Sequence, residues 1–233
     1  MNVHTLKTTR VVLVRFDEIP LNKLIHRPNL EQLAKFFRFN AADTMQNEAG
    51  RAVILCRHGI HKGDSGECTV NRLILEERKI IFEIDGSSDD ADTFYAGLVS
   101  FLADLAERTE KEYFQPIIVS DESEIVAHLE FSIESLFSPT YLQFVRSVVA
   151  SEASSDVAEV IVKPASLAFN VEYLVKDNSL TDYRISLSRK DFTVEARKGF
   201  PLTDQMYYSK APFDTNTHIK LLKELERAIL KTP

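Results

Sequence analysis

The chain has 233 residues, 44% of them hydrophobic and 27% charged, enough apolar side chains for a sizeable core and too many for a disordered segment. A formal net charge of −7, with no stripe of Lys and Arg interleaved with aromatics, disfavours a nucleic-acid partner. No run approaches the ~18 apolar residues of a membrane span, and Met1–Arg10 lacks the apolar stretch of a secretory signal. With only Cys56 and Cys68 there is no disulfide framework, so a cytoplasmic protein with reduced thiols is expected.

In chain order, Arg10–Phe16 (RVVLVRF) reads as a strand. A helix follows Pro28, capped by Asn29, with Leu30, Leu33, Ala34 and Phe37 on one face. Phe39–Gly50 is polar and reads as a loop. Ala52–Arg57 and Cys68–Leu75 read as antiparallel strands around a glycine-bearing loop, and Lys79–Asp85 (KIIFEID) as the third strand of a meander. Ser87-Ser-Asp-Asp90 is a strong helix start, because its side-chain oxygens can accept from free backbone N–H groups. The helix places Phe94, Leu98, Phe101, Leu102 and Leu105 on one stripe.

Ile125, Ala127, Leu129, Phe131 and Ile133 alternate with Val126, His128, Glu130 and Ser132, the pattern of a strand with one buried face. Ser138-Pro139 starts a helix with Leu142, Val145, Val148 and Val149 inward. Val157–Lys163, Leu167–Val175, Tyr183–Ser188 and Phe192–Arg197 read as strands. A last helix, about Thr215–Lys231, is capped by Asp214, with Leu221, Leu222, Leu225, Ala228 and Ile229 inward.

Arg72–Ile84 and Arg184–Ala196 align without a gap at a constant offset of 112, pairing Arg72 with Arg184, Leu75 with Leu187 and Glu83 with Glu195. The spacing predicts an α+β protein of two similar halves, 1–112 and 113–233. Each half would be strand, helix, antiparallel meander, helix, with sheets packed under amphipathic helices. This order is similar to the half-repeat of the TATA-binding protein in topology alone; that family's DNA-facing sheet is basic, and this chain is acidic.

The halves differ between strand and helix. Gly86-Ser-Ser88 in the first corresponds to an insertion at 199–213 in the second, carrying Phe200, Met206, Tyr207, Tyr208 and Phe213. These are the residue types that anchor partners, and closing a loop requires none of them, so this connector is the candidate partner- or ligand-binding site. The alternative is that they cover the protein's own core or form a further strand. A second candidate surface is the segment Glu76–Glu134, where sixteen acidic residues face only Arg78, Lys79, Arg108 and Lys111; it reads as a solvated helix face or a dock for a basic partner.

Cys56, His58, His61 and Cys68 place soft zinc ligands within one hairpin, although their spacing matches no common zinc module. If the hairpin centres on Lys62, the cysteines face each other. Gly63-Asp64-Ser65-Gly66 resembles the serine motif of chymotrypsin-type proteases, but Glu67 stands where that motif continues with Gly. His218 reads as a locally bonded first-turn residue in preference to a catalytic base, and we expect no cofactor.

The reading is a non-catalytic cytoplasmic protein-interaction protein, inhibitory or chaperone-like, with a protein partner. A small-ligand-binding protein or enzyme with a pocket between sheet and helix is the alternative. A homodimer through an exposed edge strand or the connector stays open.

Overall fold

A computed structural model describes residues 1–16, 18–63, 66–108, 116–152, 161–171 and 190–231. The described residues form nine strands and five helices: β1 (Asn2–Leu13), α1 (Leu21–Leu24), α2 (Arg27–Phe36), β2 (Ala41–Gln46), β3 (Ala52–Gly63), β4 (Gly66–Glu76), β5 (Lys79–Asp85), α3 (Ser88–Ala106), β6 (Ile118–His128), α4 (Pro139–Ser151), β7 (Ser166–Val171), β8 (Lys190–Ala196), β9 (Met206–Ala211) and α5 (Thr215–Leu230). The fold is α+β, an antiparallel open sheet of strand order β2-β3-β4-β5-β1-β6-β9-β8-β7. Two compact units divide the chain. The larger comprises Thr5–Glu124 and Pro212–His218, the smaller Met1–His4, Ile125–Ala211 and Ile219–Pro233.

In the larger unit the meander β3-β4-β5 carries the core. Ile54, Cys56, Cys68, Val70, Leu73, Leu75, Ile80, Phe82 and Ile84 are buried beneath α2 and α3. The inward positions of β4 change from even to odd numbers across Asn71, where the β4–β5 register shifts by one residue, as a bulge requires. Opposite it in β3, His58 takes a left-handed conformation (φ 53°), and inward positions pass from Cys56 to Gly59. Gly59 is needed there, because a Cβ would lie 2.5 Å from the Phe39 ring. Phe94 on α3 packs edge-on against Phe37 and Phe82, with ring centroids 4.9 Å apart in each pair. Ser87 caps α3 in a reciprocal box with Asp90.

Several boundaries differ from the sequence expectation. β1 begins at Asn2, well before Arg10, because its inward positions include Thr8 and Arg10, which hydrogen bonds satisfy in burial. Arg10 donates through Nε and Nη2 to Asp121, at 2.7 and 2.9 Å, and through Nη1 to Asp92. Ala41–Gln46, expected in a loop, is the terminal strand β2, mostly exposed and so without apolar alternation. α2 starts at Arg27 with Pro28 in its first turn; Asn29 lies inside it, its amide donating to the Lys23 carbonyl.

In the smaller unit β7, β8 and β9 pair antiparallel, with Phe169 opposite Phe192 and Ala196 opposite Tyr207. β6 ends at His128, yet burial continues to alternate through Leu129, Phe131 and Ile133. Ser138 caps α4 as expected, accepting from the Tyr141 N–H. Only Leu142 is buried on that helix; Val148 and Val149, expected inward, are exposed. Asp214 caps α5, whose Leu222 is buried. The expected strand Tyr183–Ser188, and the 157–160 and 172–175 parts of two others, lie outside the described residues.

Candidate functional site

The connector after β8 is pinned at both ends. Arg197 N–H donates to the Met206 carbonyl at 2.9 Å, and Leu129 N–H to the Gln205 carbonyl at 3.1 Å. Between these bonds the chain turns at Gly199 (φ 86°), passes through a 3-10 turn at Leu202–Asp204, and leaves by Gln205 in the left-handed region (φ 51°). Three backbone hydrogen bonds, Phe200 N–H to Arg197, Asp204 N–H to Pro201 and Gln205 N–H to Leu202, hold the tip. The result is an ordered loop presented by a hairpin, on a rigid base.

The five residues singled out in the sequence take different places. β9 alternates, so Tyr207, Ser209 and Ala211 point inward while Met206 and Tyr208 lie half-buried on the other face. Tyr207 is 4% exposed, stacks on Phe131 at 5.7 Å and donates its hydroxyl to the Phe131 carbonyl at 2.8 Å. Burial holds its hydroxyl above the usual tyrosine range. Phe213 belongs to the larger unit and is half-buried. Phe200 is 43% exposed, with the Arg197 guanidinium 4.9 Å from its ring centroid.

Leu202, also 43% exposed, stands beside a cleft of about 210 Å³ whose walls include Ile133, Glu134, Lys163, Pro164 and Tyr207. Arg146 holds Glu134 in an ion pair and donates to the Val162 carbonyl at 3.2 Å. Leu202, Glu134 and Lys163 were not singled out in the sequence. Leu202 lay in the connector but is neither aromatic nor a methionine, and nothing local marks 133–134 and 163–164 as neighbours of that loop.

The hairpin β3–β4 turns beyond Lys62. Cys56 faces Leu73 and Cys68 faces His61, so the two cysteines are not opposite each other. Burial pushes the Cys56 thiol up to about 12, with Asp43 adding to the effect. Cys68 donates weakly to the His61 carbonyl, Sγ to O 3.3 Å. The His61 ring stands 5.5 Å from Phe94 and 3.4 Å from the Thr93 hydroxyl, and burial lowers its pKa. His58 is exposed. Among the described residues, no three His, Cys, Asp or Glu side chains come together as a metal site. Asp64 and Ser65 lie outside the described residues.

His218 is fully buried, its Nδ1 2.8 Å from the Oγ of the equally buried Ser123. Burial pushes its pKa down to about 4, so it is a neutral imidazole at pH 7. Asp214 does not orient the ring; its carboxylate accepts from Thr217 N–H and Oγ1 at 2.8 and 2.6 Å. Serine and histidine are both sealed from solvent, which makes this pair part of the interior. No helix among the described residues is long and apolar enough to cross a membrane.

No protein-family model and no curated protein matches the chain.

Proposed function

We propose that the chain is a non-catalytic binding protein of the cytoplasm, inhibitory or chaperone-like in action, that takes a protein partner on the connector 199–213. One observation carries the reading: Leu202, 43% exposed, lines a cleft that Tyr207 also lines, and Phe200, equally exposed, stands on the same loop, which backbone hydrogen bonds fix. A preordered loop loses little freedom on binding, and apolar anchors beside a recess are what interface hot spots are made of. Tyr207 supports this surface from beneath, and Phe200 and Leu202 do the contacting. The reading also keeps the two-halves view, in which β5 and the capped α3 correspond to β8 and the capped α5. The connector is then what the second half added.

The test is affinity capture with the full chain and a Phe200→Ser, Leu202→Ser variant, with thermal melts of both. Loss of a specifically bound protein by roughly tenfold or more, with a melting temperature within about 2 °C of wild type, supports the reading. Equal capture by both proteins sinks it.

A further inference from the structure

The larger unit carries a feature that the connector does not use: an open cavity of about 590 Å³ at the C-terminal end of α3. That volume lies within the ~300–1,000 Å³ of small-molecule sites. The apolar part of its wall comes from Pro20 and Leu21 at the start of α1, Ala52 at the start of β3, and Ala106 at the end of α3. The charged part is Lys23, Arg51 and Arg108, against the single carboxylate of Glu77. With Glu107, which pairs with Lys23, three cations meet two carboxylates, a small local excess of positive charge in a protein whose net charge is −7. Arg108 is one of the four basic residues in the acidic segment between Glu76 and Glu134.

Oxygens of the protein hold Lys23 and Arg51 in place. Lys23 Nζ donates to the Leu105 carbonyl at 2.9 Å and to Glu107 at 3.0 Å. Arg51 Nη1 donates to Glu77 at 2.6 Å. An ammonium has three donors and a guanidinium five, so both retain N–H groups to offer. Their side chains are 38% and 63% exposed. Prepositioned donors above an apolar wall fit one kind of guest.

We propose that this cavity binds a small organic anion, its apolar body against Pro20, Leu21, Ala52 and Ala106 and its carboxylate or phosphate at Lys23, Arg51 and Arg108. The site lies wholly in the larger unit, so it stands or falls independently of partner binding at the connector.

The test uses the full chain and two fluorescent probes of similar shape, the anionic 8-anilinonaphthalene-1-sulfonate and the neutral N-phenyl-1-naphthylamine. Three proteins are compared: wild type, Lys23→Gln/Arg51→Gln, and Asn22→Trp, which sets an indole at the mouth from an exposed position. The anion should bind wild type with one-to-one stoichiometry. The charge variant should weaken it about tenfold, with the neutral probe changed less than about twofold, and about 0.5 M salt should act on the anion in the same direction. The tryptophan variant should weaken both probes. Octanoate and octyl phosphate should each displace the anion, the stronger competitor naming the head group, while inorganic phosphate alone should not. Anion binding that is unchanged in the charge variant, or in the tryptophan variant, overturns the proposal. Melting curves for all three proteins check that the fold is retained.

Discussion

Acidification should unload His218 from the folded state, and the size of the effect follows from its burial. The ring is sealed against Ser123, and its folded pKa is about 4 against an ordinary value of 6.5. Below pH 6.5 the unfolded chain takes up a proton that the folded chain refuses, so the unfolded state binds more protons and stability falls with pH. The contribution is complete above pH 6.5 and disappears on descending to pH 4. The difference of about 2.5 units corresponds to about 3 kcal/mol, of which about 2 kcal/mol is lost by pH 5. Urea unfolding followed by circular dichroism at pH 7, 6, 5 and 4 measures it, with His218→Gln as the reference that cannot titrate. His61, also lowered by burial, is present in both proteins and cancels in the comparison. The stability gap between wild type and variant should shrink, or reverse, by about 3 kcal/mol across the range. A gap independent of pH would show that His218 is not held neutral in the interior, and the structural role assigned to the Ser123–His218 pair would fail.

Other substitutions separate support from surface. Tyr207→Phe removes the hydroxyl's bond to the Phe131 carbonyl and its backbone bond with Ile133 and should cost about 1–2 kcal/mol in chemical denaturation. Gly59→Ala forces a methyl to within 2.5 Å of the Phe39 ring and 2.9 Å of the Phe37 carbonyl oxygen and should destabilise by about 1–3 kcal/mol in urea unfolding. Ser87→Ala opens the capping box of α3 and should cost about 1 kcal/mol, read as a lower urea midpoint with an unchanged slope.

Much of the architecture was legible where one physical signal dominates. Lys79–Asp85 combines β-branched residues with alternation and is a strand over those residues, and Ser87, Ser138 and Asp214 each accept from the helix N–H groups that their positions implied. Reading failed where burial and hydrophobicity part company. Thr8 and Arg10 point inward by virtue of hydrogen bonds, which no apolar alternation announces, and β2 is a strand with almost nothing to bury. The bulge at Asn71 and the left-handed His58 change which residues face inward midway along two strands, so a single period-two pattern misplaces half of each. The cysteines follow from the same limit, since their facing depended on where the hairpin turned. At the connector the residue types were visible but their directions were not. The alternation of β9 sends Tyr207 into the interior, while Phe200 and Leu202 of the preceding loop are exposed.

The account rests most heavily on the connector as a contact surface. A photoactivatable p-benzoylphenylalanine in place of Leu202, irradiated in intact cells, tests it most directly, with the same group at exposed Arg227 as the comparison. The account predicts a discrete protein adduct at 202 that disappears when Phe200→Ser is added, and none at 227. No adduct at 202, or the same adducts at both positions, would contradict it.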